Sequence, residues 1–130
     1  MNVILSIKPK YVNAILNGEK QYEFRKQIFK DPEVENIFIY SSSPVKLIVA
    51  IFHPHRIIMD SPENLWMSFW DKSGLTKEEF FNYFHLKESG YAISINDLIV
   101  LDEPIDPKTI YPDFIAPQNF LYMENLDFGM

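Results

Sequence analysis

The stretch Gly18-Glu19-Lys20-Gln21-Tyr22-Glu23-Phe24-Arg25-Lys26 gathers two acids and three bases around two aromatics within nine residues. Read as a strand, it turns Tyr22 and Phe24 to one face and Gln21, Glu23 and Arg25 to the other. Glu23 and Arg25 are then same-face neighbours roughly 7 Å apart at Cα, close enough for a carboxylate and a guanidinium to share a ligand or to pair. Lys20 stands at the preceding turn, so alternation does not fix its side. The same spacing also describes a solvated strand whose charges pair for about 0 to 1 kcal/mol. Spacing alone leaves both open.

Other reactive side chains are scattered. His53 and His55 fall on one side of a continuing strand and can begin a metal site, but Pro54 lies between them and no third ligand is evident. Ser41, Ser42 and Ser43 precede Pro44, which fits a turn, a set of hydroxyls for a phosphate or base, or a nucleophile. His85 follows an aromatic helix as a C-terminal capping side chain. No dinucleotide fingerprint, phosphate loop, zinc-binding His-Glu helix or nucleophile elbow occurs.

The elements that must position these residues belong to a chain of 130 residues, enough for one hydrophobic core, so a single domain over 1–130 is expected. A hydrophobic fraction of 47% and an aromatic fraction of 15% fit a packed globular protein. Cysteine is absent, which excludes disulfides, thiolate catalysis and Cys-ligated zinc. With no secretory leader and no run of about 18 apolar residues, a soluble cytoplasmic protein with no membrane partner is expected.

The net charge of −6 argues against binding nucleic acid through bulk electrostatics. Its distribution is uneven. Residues 1–30 carry Lys8, Lys10, Lys20, Arg25, Lys26 and Lys30 against Glu19 and Glu23, a balance of +4, which leaves −10 for residues 31–130. A local basic patch on an acidic body suits a small anionic or single-stranded ligand better than a long duplex.

Val3 to Ile7 is nearly continuous apolar and reads as a buried strand. Pro9 opens a helix with Val12, Ile15 and Leu16 on one face, ended at Asn17 by Gly18 in a left-handed cap. Strands follow over Gln21 to Lys26, Asn36 to Ser41 and Val45 to Phe52, the last running on past Pro54 through Ile57 to Met59. Asp60-Ser61-Pro62-Glu63 starts a second helix, and Thr76-Lys77-Glu78-Glu79 is a capping box for a third, with Phe80, Phe81 and Phe84 facing inward. Gly90 to Ile95 and Leu98 to Leu101 are strands around Asn96-Asp97. Residues 103–130, with Pro104, Pro107, Pro112 and Pro117, read as an extended C-terminal wrap. Five to six strands with inserted helices predict an α+β fold built as a small, partly closed β-barrel.

Ser6-Ile7-Lys8-Pro9, then Gly18-x-Lys20-x-x-Glu23-x-Arg25, then Tyr40-Ser41-Ser42-Ser43-Pro44 resembles the ASCH domain family, a branch of the PUA-like superfamily. The likeness runs from about residue 3 to about residue 122 and includes the late Ala116-Pro117-Gln118. It implies a cleft beside the signature that holds single-stranded RNA or a modified nucleoside or nucleotide, with a role in RNA metabolism or translation-linked regulation and no cofactor. By position, Lys20, Glu23 and Arg25 match the signature residues, and Lys8, Tyr40, Ser42 and Ser43 are the further ligand residues expected beside them. Arg25 forks onto a phosphate or base edge, Lys20 neutralises a phosphate, Glu23 accepts from an exocyclic amine and Tyr40 stacks on a base.

The same resemblance carries a second reading, a small hydrolase in which Lys20 and Glu23 act as acid and base, either a ribonuclease or a nucleoside amidohydrolase. One branch acting on acylated cytidine uses a Thr three residues after the Lys. Here that position is Glu23, so the amidohydrolase lacks its hydroxyl. A third reading is a protein-interaction domain using the acidic surface.

Overall fold

Residues 1–123 are described by a computed structural model. In chain order they form β1 (Asn2–Ile7), α1 (Pro9–Leu16), β2 (Tyr22–Arg25), β3 (Asn36–Ser41), β4 (Leu47–His53), β5 (Ile57–Asp60), α2 (Pro62–Phe69), α3 (Lys77–Tyr83), β6 (Gly90–Ser94), β7 (Asn96–Ile105) and β8 (Phe120–Met123). The strands lie in a five-stranded sheet ordered β7-β4-β3-β1-β8 and a three-stranded sheet ordered β2-β6-β5. The architecture is α+β and is not a closed barrel. Its eight strands exceed the five to six expected. Pro54, which has no N–H for a ladder, separates β5 from β4, and β5 pairs with β6 instead. The tail, expected to be irregular, adds β8 antiparallel to β1. The remainder of the expected wrap, 124–130, lies outside the described residues.

β1 is almost wholly apolar because the large sheet is covered on both sides. It runs parallel to β3, with Leu5 opposite Ile39. Val3, Leu5 and Ile7 point to one side and pack with Ile37, Ile39 and Phe52 of the sheet, with Val12 and Ile15 of α1, and with Ile93 of β6. Ile4 points to the other side, with Phe38, Tyr40, Ile48 and Phe114. β6 and β7 do not pair across Asn96-Asp97. The chain passes there from one sheet to the other, with Asp97 at φ 52, a left-handed conformation that Asp tolerates.

The three-stranded sheet is backed by the aromatic helices. Phe24 and Ala92 pack against Leu65, Phe80 and Phe84, with the Phe24 and Phe80 rings edge to face at 5.1 Å and Tyr22 stacked on Phe69 at 4.2 Å. The local start signals operate as read. Ser61 Oγ accepts from the Asn64 N–H, and Thr76 and Glu79 cap one another reciprocally. Among the described residues, no helix is long and apolar enough to cross a membrane.

Candidate functional site

β2 carries out the alternation its sequence dictates. Tyr22 and Phe24 enter the aromatic core, and Glu23 and Arg25 turn the opposite way into a cleft of about 720 Å³. Ser6, Ile7 and Lys8, at the end of β1, form one side of this cleft. α1 adds Tyr11, α3 adds Glu79, Asn82 and Tyr83, and the segment before β8 adds Gln118 and Asn119. Lys20 reaches the floor because Gly18, at φ +86, turns the chain sharply after α1. Lys20 N–H then bonds the Ala14 carbonyl at 2.9 Å, and Gln21 N–H bonds the Lys72 carbonyl at 2.8 Å.

Lys20, Glu23 and Arg25 form a buried charge row, at 3%, 6% and 8% exposure. Lys20 Nζ donates to the Ser73 carbonyl at 2.8 Å and lies 3.5 Å from Glu23 Oε1. The Phe24 and Tyr11 ring centroids are 5.0 and 6.0 Å from the same nitrogen. Burial pulls the Lys20 ammonium below its ordinary pKa, and the neighbouring Glu23 carboxylate opposes that shift. An amine in this position has two protein acceptors within reach and borders the cleft with what remains of its coordination.

Arg25 is not the free fork expected from the sequence. Its Nε donates to Glu23 Oε2 at 2.9 Å, and its Nη2 is 2.8 Å from the same oxygen and donates to the Ser6 carbonyl at 2.9 Å. Nη1 reaches the carbonyl and the side-chain oxygen of Asn119 at 3.3 and 3.4 Å. Each guanidinium nitrogen thus has an acceptor inside the protein, and Arg25 ties β2 to β1 and to the tail. Its two nitrogens on Glu23 Oε2 hold that carboxylate in place.

Tyr40 is also placed differently. It points to the far side of the large sheet, is 5% exposed, and packs its ring on Phe114 at 5.5 Å. β3 alternation sends it there, so it does not line the cleft and offers no stacking platform to a ligand in it. Ser42 and Ser43 belong to the β3–β4 turn and do not line the cleft either. The Val45 N–H bonds the Ser42 carbonyl at 3.1 Å. Of the sequence candidates, Lys8, Lys20, Glu23 and Arg25 meet in one concavity. His53 Nδ1 lies 2.7 Å from the Glu35 carbonyl, and His55 Nε2 lies 2.8 Å from Asp97. No cluster of three or more potential metal ligands occurs among the described residues.

Residues that spacing did not single out complete the wall. Glu79 Oε1 accepts from the Thr76 N–H in the capping box, while Oε2 accepts from Tyr11 Oη at 2.7 Å and Lys10 Nζ at 2.9 Å. These donors, the Thr76 backbone first, hold the Glu79 carboxyl down at about 2. The hydrogen bond to Glu79, followed by burial, pushes the Tyr11 hydroxyl up to about 12. Tyr83 carries Lys26 Nζ over its ring at 4.6 Å. The capping box marked Glu79 in the sequence, but nothing local marked its second oxygen as part of a cleft.

The electrostatic sum of the cleft is opposite to that of the chain. Lys8, Lys20, Arg25, Lys26 and Lys87 line it against Glu23 and Glu79, in a protein of net charge −6. A concave cationic site with low-dielectric walls draws anions from solution.

No family model matches the chain. A curated relative, the ASCH domain-containing ribonuclease of Zymomonas mobilis, is 26% identical over 126 residues, covering 92% of this chain and 82% of the relative. A second relative, ATP synthase subunit alpha of Ureaplasma parvum, is 23% identical over 123 residues, but that match spans only 15% of its length. The solved structure of ASCH from Zymomonas mobilis superposes with a TM-score of 0.88 at 25% identity, covering 95% of this chain and 88% of that one. With the fold shared along nearly its whole length and the Gly18-x-Lys20-x-x-Glu23-x-Arg25 stretch at the floor of its cleft, the chain is similar to ASCH domain proteins in sequence and has their α+β, PUA-like fold, which supports an ASCH domain family assignment.

Proposed function

We propose that the protein binds single-stranded RNA in this cleft and cleaves its phosphodiester backbone, with Lys20 as the proton acceptor. The observation that carries the reading is the cleft's excess of bases, set in an acidic protein. Exposed Lys8, Lys26 and Lys87 at the rim attract phosphates, and the acidic remainder of the surface disfavours a long duplex lying across it. A ribonuclease among the relatives of matching length supports the choice of RNA.

The chemistry follows from the floor. A neutral Lys20 amine takes the proton of a ribose 2′-hydroxyl. The 2′-oxygen then bonds to phosphorus as the bond from phosphorus to the 5′-oxygen breaks, and the leaving oxygen takes a proton from water in the open cleft. The products are a 2′,3′-cyclic phosphate and a 5′-hydroxyl. Burial lowers the pKa of Lys20, which favours the neutral amine that a general base must be. Glu23, held by Arg25, steadies the ammonium that forms. The rim lysines screen the negative charge that develops on the phosphoryl oxygens.

The test compares the parent with Lys20→Met on a labelled single-stranded RNA and on its 2′-deoxy counterpart. The parent is expected to bind both and to cut only the ribose strand, whereas Lys20→Met binds without cutting. Cleavage by Lys20→Met at the parental rate removes Lys20 as base. Salt-sensitive binding by the parent with no cleavage at all reduces the site to a binding module.

A further inference from the structure

We propose that the turn Ser73-Gly74 is the positioning device for Lys20, with the Ser73 carbonyl orienting the amine and Gly74 leaving the space that the lysine stem occupies. This rests on the assignment of Lys20 as the working residue of the cleft. It concerns residues that no spacing in the sequence connects to it.

The turn lies 53 residues from Lys20 and closes tightly on it. Ser73 is fully buried, and its carbonyl accepts a hydrogen bond from Lys20 Nζ at 2.8 Å. The two residues also form an isolated antiparallel bridge, extended by the bond from Gln21 N–H to the Lys72 carbonyl. Ser73 Oγ donates to the Trp70 carbonyl at 2.8 Å and accepts from the Leu75 N–H at 3.1 Å, so the hydroxyl locks the turn that aims the carbonyl. Gly74 has φ +66, and a Cβ there would stand 2.6 Å from Lys20 Cβ and 3.2 Å from its Cγ. No real Cβ tolerates that distance, and the atoms in the way are the root of the lysine rather than its flexible end. A side chain at 74 must therefore displace Lys20 or the turn.

The geometry also gives the amine a direction. With one N–H donated to Ser73 and Glu23 Oε1 at 3.5 Å as a second acceptor, the neutral nitrogen keeps its lone pair for the cleft. Moving the Ser73 carbonyl redirects that pair. The groups facing Lys20 are Glu23 and Arg25 on β2, Tyr11 on α1 and Glu79 on α3, and none of these lies in the turn. Ser73 and Gly74 act on the reaction only through Lys20, so they are positioning residues.

The experiment uses Gly74→Ala, Gly74→Asn and Ser73→Ala in the full chain. Asn at 74 tolerates positive φ and therefore isolates the steric clash from the strain. Two readouts are taken: the titration of Lys20 followed by NMR of its side-chain nitrogen, and the pH profile of single-turnover RNA cleavage. In the Gly74 variants the Lys20 titration is expected to rise toward its ordinary value and cleavage to fall about 100-fold, as for a misplaced catalytic group. Ser73→Ala, which keeps the carbonyl but frees the turn, shifts both in the same direction by less. A folded Gly74→Asn whose Lys20 titrates as in the parent overturns the proposal. Should neither Gly74 variant fold, an unchanged titration in Ser73→Ala overturns it instead. If the parent cleaves no RNA, the ribonuclease reading fails, but the NMR comparison still decides whether the turn sets Lys20.

Discussion

Arg25 meets Glu23 through two nitrogens on a single carboxylate oxygen, Nε at 2.9 Å and Nη2 at 2.8 Å, with both side chains 9% exposed. The pair lies two residues apart on one strand, and the strand supplies the geometry without a loop to order. Removing Arg25 leaves the buried Glu23 carboxylate with Lys20 Nζ at 3.5 Å as its one cationic partner and frees the Ser6 and Asn119 carbonyls, and that cost exceeds what the intact pair contributes.

Arg25→Ala is therefore expected to destabilise the fold by about 3 to 5 kcal/mol, read from the urea midpoint at constant slope. Arg25→Lys recovers only part of this, because an ammonium cannot reach Glu23, Ser6 and Asn119 together. A loss under about 1 kcal/mol, accompanied by lost RNA affinity, would restore Arg25 to the role of ligand residue.

The rim lysines should behave oppositely. Lys26→Ala and Lys87→Ala remove exposed charges and are expected to change stability by no more than about 0.5 kcal/mol. Each is expected to reduce the salt dependence of single-stranded RNA binding, lowering the slope of log affinity against log salt by about 0.7. Fluorescence anisotropy across a salt series measures it, and unchanged slopes in both variants count against the cleft as the RNA site.

Glu79 makes an acid-range prediction. Its folded pKa of about 2 lies below the ordinary 4.5, so its contribution to stability is complete above 4.5 and is lost as pH falls from 4.5 toward 2. Tyr11 acts at the other end. Its folded pKa of about 12 lies above the ordinary 10, so the folded state holds the proton more tightly and stability falls as pH rises from 10 to 12. In Glu79→Gln both slopes should flatten, measured by thermal melts across the two windows. Parental slopes in that variant would contradict the shared hydrogen bond.

Tyr40 tests the boundary of the site. Tyr40→Phe keeps the packing on Phe114 and is expected to leave RNA affinity and cleavage at parental values, while Tyr40→Ala costs about 3 to 5 kcal/mol by opening a cavity. Weakened RNA binding by a stable Tyr40→Phe would move the ligand to the far face of the large sheet.

Much of the scaffold was legible because its causes are local. Pro9 and Gly18 bracket α1, Ser61 and Thr76 cap α2 and α3, and β2 alternates as its residues require. The strand count was not legible. The break at Pro54 is visible in the sequence, but the partner that β5 then chooses is not, and the short apolar run of β8 sits in a proline-rich tail that reads as irregular.

By itself the sequence determined that Lys20, Glu23 and Arg25 stand at one turn and on one strand face, because a strand's period of two and a glycine's left-handed φ act within a few residues. Only the tertiary structure decided what those groups do. Lys20 finds Ser73 across 53 residues, Tyr11 finds Glu79 across 68 and Arg25 finds Asn119 across 94. Such separations leave no periodicity to read. The physical reason is that burial and hydrogen-bond partners, which turn a charged strand into a structural pair and a depressed amine, exist only once the sheets and helices have packed.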